Sequence, residues 1–117
     1  MKLKKETQER IAHLQMLEQN IQNSILQKQT AQNHIFEIDD AISEINSAKD
    51  ATYKIIGNVM IKKTKEELKK DLESRKEVLN IRIKNIEKQE EELKKRAQEL
   101  QETLINELQD QKGKDKK

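Results

Sequence analysis

Apolar residues recur every seven positions over two long stretches of the chain. The first stretch contains two such series three positions apart, and the second contains a strict series accompanied by residues four positions later. The series are Leu14, Ile21, Lys28, Ile35 and Ile42 with Leu17, Ser24, Ala31, Ile38 and Ile45, then Leu72, Leu79, Ile86, Leu93 and Leu100 with Ile83, Ala97 and Leu104. This spacing is typical of the a and d positions of a left-handed coiled coil. It predicts helices near residues 8–47 and 65–110.

The segment between the two helices has a different pattern. Two runs rich in β-branched residues, 53–56 and 59–62, flank the dipeptide Gly57-Asn58. A two-residue link of this kind is typical of a β-hairpin, in which glycine supplies the positive φ of the first turn position. We therefore predict a hairpin near residues 53–63.

A tight hairpin between helices of nearly equal length returns the chain and sets the helices side by side and antiparallel. Thr64 and Glu67 have the spacing of a capping box, so the second helix should begin near Lys65. The expected fold is mainly α, a single domain over residues 1–117. Its tail, residues 111–117, contains no apolar side chain and should fray.

The register of the two helices can be predicted by matching apolar positions. Pairing residues whose numbers sum to 121 sets Ile38 beside Ile83 and matches large apolar residues near the hairpin and near the chain ends. The middle of the seam is weak and hydrated in this register, with Ser24, Lys28, Ala31 and Glu90. The alternative sum of 114 sets Ile38 against Lys76 and Ser24 against Glu90, which buries less apolar area. We therefore predict the first register.

Composition excludes an ordinary compact globule. Hydrophobic residues make up 32% of the chain and charged residues 39%, against about 45–50% and 25% in globular domains. Disorder is disfavoured because the formal net charge is only +2 and proline is absent. Lysine and arginine alternate with glutamate, which argues against nucleic acid as a partner.

Localisation follows from what the sequence lacks. It contains no apolar run of the roughly 18 residues that can cross a membrane. The charged N-terminal residues are not followed by the apolar region of a signal peptide, so we expect none. The absence of cysteine suits a reducing compartment. We expect a cytoplasmic protein that does not bind membranes.

The sequence offers no catalytic or metal-binding constellation. His13 and His34 are the only histidines and lie 21 positions apart on one helix, too far to share a metal ion. Gly57 stands alone in its turn, whereas phosphate-cradling loops need several glycines. We predict that the protein is not an enzyme and uses neither a cofactor nor a metal.

Both faces of the predicted hairpin are apolar. One face carries Ile56, Val59 and Ile61, and the other carries Tyr53, Ile55 and Met60. Because an isolated two-stranded hairpin is marginal in water, both faces need cover. Packing of the hairpin onto its own helices would explain one apolar face, whereas a sheet formed between molecules explains two.

A second apolar cluster lies close to the two chain ends and drifts away from the heptad seam. It consists of Ile11, Leu14, Leu17, Leu104, Ile105 and Leu108. Such residues are compatible with routine fraying of helix ends, or with an adaptable surface that binds other chains. The residues themselves leave both interpretations open.

The chain resembles the β-type subunits of archaeal prefoldin. The hairpin and the start of the second helix, residues 53–68, carry the most specific part of this resemblance, which extends from about Glu9 to Leu108. Only one hairpin fits between the helices, which is the β-type arrangement. The helical patterns Gln27-Lys28-Gln29 and Glu87-Lys88-Gln89-Glu90 are also similar to those of the family.

The resemblance implies a chaperone that works without ATP. Two α-type and four β-type subunits would join their hairpins, here residues 53 and 55–61, into a β-barrel. The coiled-coil ends, here the six residues of the terminal apolar cluster, would hold unfolded proteins and deliver them to a group II chaperonin. The subunit alone is expected to self-associate in some cases as a homo-oligomer.

Two other functions are compatible with a helical hairpin. A structural coiled-coil adaptor would use the hairpin only as a turn and would not bind unfolded proteins. An RNA-gripping helical arm would need clustered, salt-sensitive basic contacts, which the interleaved charges disfavour.

Overall fold

A computed structural model of the protein describes residues 4–115, with side chains described through Gln111. Its elements in chain order are α1 (Lys5–Ser47), β1 (Thr52–Ile56), β2 (Val59–Lys63) and α2 (Lys65–Asp115). The predicted pair of long helices joined by one hairpin is confirmed. Helix α2 continues to Asp115, so the prediction of a frayed end from residue 111 is wrong over residues 111–115, and residues 116–117 lie outside the described part.

The chain forms two compact units. We call residues 28–85 the hairpin unit, and we call residues up to 27 together with those from 86 onward the terminal unit. Neither helix, within residues 4–115, contains an apolar stretch long enough to cross a membrane.

The hairpin is built around the predicted two-residue turn. Strands β1 and β2 pair antiparallel in the predicted register, from Ile56 opposite Val59 to Thr52 opposite Lys63. Gly57 has a φ of 59°, and no other described residue has a positive φ. A positive φ at the first turn position alone is the signature of a type II′ turn, whose twist matches that of the strands it joins.

The start of α2 shows half of the predicted capping box. The Glu67 amide donates to Thr64 Oγ1 at 3.2 Å, which satisfies one of the amides that every helix leaves free at its first turn. The Glu67 carboxylate lies 3.7 Å from Lys63 Nζ, one turn earlier in the chain, and so acts on β2 and not on the cap.

The predicted helix register is wrong in the hairpin unit. Lys76 Nζ lies 2.6 Å from Asp39 Oδ1, and these residue numbers sum to 115. Under the predicted sum of 121, Lys76 would lie beside Ile45, about 9 Å further along α1. In agreement with the smaller sum, Glu37 and Ile38 of α1 line one groove with Val78 and Leu79 of α2.

Contacts inside the terminal unit also contradict the predicted register. Thr7 Oγ1 donates to Glu107 Oε2 at 3.1 Å, a pair whose numbers sum to 114. Ser24 and Glu90 each lie 17 positions along the helix from this pair, so they face each other in the same register. Both are buried, at 8% and 6% exposure.

Two features explain the observed register: the symmetry that the hairpin turn sets, and the ion pair that compensates a buried charge in the seam. The two-residue turn fixes strand pairs whose numbers sum to 115, and the helices of the hairpin unit return with nearly the same symmetry. Burial of Glu90 in the terminal unit is tolerated because its carboxylate lies 3.0 Å from Lys94 Nζ on the next turn. Among described residues, no buried side-chain nitrogen or oxygen lacks a hydrogen-bond partner.

The register can be tested by zero-length cross-linking. A carbodiimide joins an amine to a carboxylate only when the two are in contact, so we expect a Lys76–Asp39 cross-link in the peptide mass spectrum. Asp39→Asn should remove it, and the matched control Asp40→Asn should leave it in place. A cross-link from Lys76 to Glu44 in place of Asp39 would restore the register with the sum of 121.

Candidate interaction site

The hairpin exposes all of its large apolar side chains. Exposure ranges from 37% at Ile61 to 69% at Ile55. The exposed set comprises Tyr53, Ile55, Ile56, Val59, Met60 and Ile61. The helices of the same unit therefore leave both faces of the hairpin largely open to solvent, and packing onto the protein's own helices does not account for these residues.

The backbone edges of the hairpin are also open. In an antiparallel pair with a two-residue turn, alternate residues direct their amide and carbonyl groups away from the partner strand. Here these residues are Tyr53 and Ile55 on β1 and Met60 and Lys62 on β2. Among residues 4–115 no backbone hydrogen bond outside the helices and the strand pair reaches these groups. Such edges are templates for a further strand.

Three polar contacts fix the hairpin to the helices or hold its open end. Thr52 Oγ1 donates to the Lys63 carbonyl oxygen at 2.6 Å, across the last strand pair. Lys54 Nζ donates to Asp71 Oδ2 on α2 at 3.0 Å, and Lys65 Nζ donates to the Ala48 carbonyl oxygen after α1. These contacts orient the strands but cover little of their apolar surface.

Below β1 the hairpin unit contains a groove of about 460 Å³. Its lining combines β1 with apolar residues of both helices, namely Ala41, Ile45, Leu68 and Leu72, and with Ala48 just after α1. Polar side chains, including Asp71 and Arg75, also line it. The strand thus stands away from part of the helix surface, which explains why its side chains remain accessible.

The surroundings of Asp71 clearly change the titration of its carboxyl. The hydrogen bond from Lys54 lowers the pKa of its carboxyl below the ordinary 3.8. Desolvation opposes this shift, and the charges of Lys54, Arg75 and Lys63 add to the lowering. Arg75 Nη2 lies 3.7 Å from the same oxygen that Lys54 contacts. The ion pair therefore persists to lower pH than an isolated aspartate would allow.

The terminal unit divides the predicted apolar cluster into two kinds of residue. Leu17 and Leu104 are buried at 5% exposure each, whereas Ile105 and Leu108 are exposed at 47% and 39%. Ile11 and Leu14 are half-buried. Leu17 and Leu104 are therefore part of the seam, and only the other four offer surface to a second molecule.

Polar contacts hold the two helix ends of the terminal unit together. The Glu107 carboxylate accepts from the Thr7 hydroxyl through one oxygen and from the Arg10 guanidinium through the other. Thr7 is almost fully buried, while the charged groups remain half-exposed. This clasp stabilises the ends without covering the apolar residues beside it.

Several exposed apolar side chains lie outside both predicted clusters. They are Met16 and Leu26 in the terminal unit and Phe36, Val78 and Ile81 in the hairpin unit. Val78 lines a groove of about 520 Å³ with Ile38 and Leu79. All five are apolar residues at positions outside the heptad series, so their exposure could have been predicted from the sequence.

Comparisons with known proteins agree over almost the whole chain. Residues 8–111 match the family described as "Prefoldin subunit". The chain belongs to the prefoldin subunit family. Prefoldins are chaperones, so a chaperone-like function follows from membership.

Individual prefoldins give the same picture. The prefoldin subunit beta of Archaeoglobus fulgidus is 36% identical over 110 residues, which cover 92% of this chain and 95% of that protein. The prefoldin subunit beta of Saccharolobus islandicus is 38% identical over 109 residues, covering 92% and 86% respectively. The crystal structure of the prefoldin beta subunit from Thermococcus strain KS-1 superimposes with a TM-score of 0.80 at 27% identity, covering 90% of this chain and 94% of that one.

Against this prefoldin fold, the residues predicted as an oligomerisation hairpin come together in one place. Tyr53, the run 55–56 and the run 59–61 lie in paired strands, with Gly57 and Asn58 in the turn between them. The predicted tip residues are brought together only within the terminal unit, and there they split between seam and surface.

The Lys54–Asp71 contact gives a pH-dependent prediction. Because the folded-state pKa of Asp71 is lowered, its contribution to stability is present above the unfolded value of 3.8 and is lost as the pH falls through the lowered value. Asp71→Asn should therefore reduce the thermal stability of the hairpin unit slightly near neutral pH. The difference from the unaltered protein should vanish in acid well below the lowered pKa.

Thermal unfolding followed by circular dichroism at the two pH values checks this prediction. Asp110→Asn, at an exposed position of α2, is the control for loss of a carboxylate as such. Equal effects of the two substitutions at neutral pH would mean that the Lys54 contact contributes nothing specific.

Proposed function

We propose that the protein is the β-type subunit of a prefoldin complex that holds unfolded proteins in the cytoplasm without ATP and delivers them to a group II chaperonin. The observation that supports assembly into the complex is the hairpin, which has two open apolar faces and two open edges. Burying one apolar side chain contributes about 1.5–3 kcal/mol, so six such residues supply a large driving force for assembly.

The partner proposed for assembly is an α-type prefoldin subunit, with two α-type and four β-type chains in one complex. Strand edges that lack partners are satisfied when hairpins of neighbouring subunits extend one another into a closed barrel, because closure leaves no free edge. The same faces account for homo-oligomers when the α-type subunit is absent.

For client binding, the supporting observation is the exposed apolar surface of the terminal unit. Ile105 and Leu108 are exposed, and Ile11 and Leu14 are half-buried beside a polar clasp. Unfolded chains expose apolar side chains of many shapes, and weak contacts repeated over several subunits hold them by avidity. Leu17 and Leu104 serve this surface indirectly, since their burial keeps the two helix ends together.

Clients can be released without nucleotide because each apolar contact between client and terminal unit is weak. A client held by several small apolar contacts can be transferred when a competing receptor displaces them one at a time. We propose that the group II chaperonin is that receptor. No nucleic acid and no membrane takes part in the cycle.

Assembly through the hairpin predicts the effect of a buried charge. Ile55→Asp places an unpaired carboxylate in the covered sheet, which is costly, so the complex with an α-type prefoldin subunit should dissociate into smaller species with the helix content retained. Sedimentation velocity and far-ultraviolet circular dichroism measure the two quantities.

The control for this experiment is Val78→Asp, which changes an equally exposed apolar residue of α2 outside the hairpin. It should leave the sedimentation of the complex unchanged. If the Ile55→Asp protein sediments like the unaltered complex, the hairpin is not the element through which the subunits associate.

Client holding through the terminal unit predicts the effect of polar substitutions at its surface. Ile11→Ser, Ile105→Ser and Leu108→Ser together should leave assembly intact but allow a chemically denatured test protein to aggregate, because apolar contacts are lost. Leu17 and Leu104 are left unchanged, since their replacement would open the seam. Light scattering of the diluted test protein is the measurement.

A matched variant with Phe36→Ser, Val78→Ser and Ile81→Ser removes the same number of exposed apolar residues from the hairpin unit. It should still suppress aggregation, and added salt should weaken holding by the unaltered complex only slightly. If the terminal-unit variant still suppressed aggregation of the test protein fully and the matched variant did not, client binding would lie on the hairpin unit.

A further inference from the structure

The hairpin is basic as well as apolar. Residues 52–63 contain Lys54, Lys62 and Lys63 and no aspartate or glutamate. Two of these lysines are neutralised by α2, since Lys54 Nζ lies 3.0 Å from Asp71 and Lys63 Nζ lies 3.7 Å from Glu67. The third, Lys62, is exposed and makes no hydrogen bond or ion pair among the described residues.

Lys62 belongs to the face of the hairpin that carries Tyr53, Ile55 and Met60. It pairs directly with Tyr53 across the two strands, and directly opposed residues place their side chains on the same face. The Tyr53 hydroxyl likewise has no hydrogen-bond partner in the described part of the chain. This face therefore presents an apolar surface bordered, at the end away from the turn, by two adjacent polar groups without partners.

These polar groups constrain what can cover the face. An apolar cover would bury an ammonium group and a hydroxyl with no acceptor, and burial of an unpaired charge is strongly unfavourable. A carboxylate satisfies both groups at once, because it accepts from an ammonium and from a phenolic hydroxyl through separate oxygens. A second copy of these strands brings three more lysines and no carboxylate.

We propose that the Tyr53–Lys62 pair selects the partner of this face: a strand of a different prefoldin subunit that carries an aspartate or glutamate against Lys62. The pair gives the hairpin a preference for an acidic partner strand over its own copy. This inference rests on the proposed role of the hairpin in assembly and adds to it the chemistry that distinguishes one partner from another.

Another role for Lys62 makes a different prediction. Lysine on an edge strand can act as a guard that prevents uncontrolled pairing of exposed edges. A guard needs only a charge of either sign, whereas recognition of a carboxylate needs a positive one. Reversal of the charge therefore separates the two roles.

The experiment measures binding of an α-type prefoldin subunit to three full-length variants, Lys62→Glu, Lys62→Arg and Lys84→Glu. Lys84 is an exposed lysine of α2, so its reversal changes the net charge equally. We expect Lys62→Glu to weaken binding by at least about tenfold, because a like-charged pair replaces an attractive one at a covered interface. Lys62→Arg and Lys84→Glu should bind within about threefold of the unaltered chain.

Parallel measurement on Ile55→Asp keeps this inference distinct from the proposed function. If Ile55→Asp loses the α-type subunit while Lys62→Glu binds it normally, the hairpin assembles but Lys62 does not recognise a carboxylate. If both variants bind normally, assembly through the hairpin is itself wrong. Retained helix content, measured by circular dichroism, shows that each variant is folded.

Discussion

Burial of apolar surface is the constraint on which the hairpin unit depends. Strands β1 and β2 carry apolar side chains on both faces, and their outward amide and carbonyl groups have no backbone partner within the described chain. A lone two-stranded hairpin is marginal in water, so these strands gain most of their stability from whatever covers them. The polar contacts of Lys54 and Thr52 set the position of the strands. A single chain leaves their apolar faces and backbone edges open, which is what the proposed assembly through the hairpin requires.

The hairpin could be predicted from the sequence because its signals are local. Gly57 and Asn58 stand between two β-branched runs, and a two-residue turn determines every strand pair that follows. The same locality explains the correct start of α2, where Thr64 accepts from the Glu67 amide. Each of these features depends on residues no more than a dozen positions apart in the chain.

The helix register could not be predicted from apolar matching, because the register depends on how polar residues in the seam are satisfied. Matching large residues favoured Ile38 beside Ile83, whereas the structure pairs Asp39 with Lys76. Glu90 lies buried in the seam, where Lys94 on the same helix neutralises it, so apolar area alone is a poor criterion for the register. In the candidate site, Leu104 and Ile105 are neighbours in sequence, yet one fills the seam and the other faces solvent. Their heptad positions distinguish them, since Leu104 belongs to the heptad series and Ile105 does not.

Hydrogen–deuterium exchange of the strand amides tests the central claim most directly. In the complex with an α-type prefoldin subunit, the outward amides of Tyr53, Ile55, Met60 and Lys62 should exchange far more slowly than in the Ile55→Asp variant, because neighbouring strands bind them. The Asn58 amide in the turn serves as the internal reference for free exchange. Outward amides that exchange in the complex as rapidly as in the variant would show that no further strand joins the hairpin, and would contradict assembly through a shared sheet.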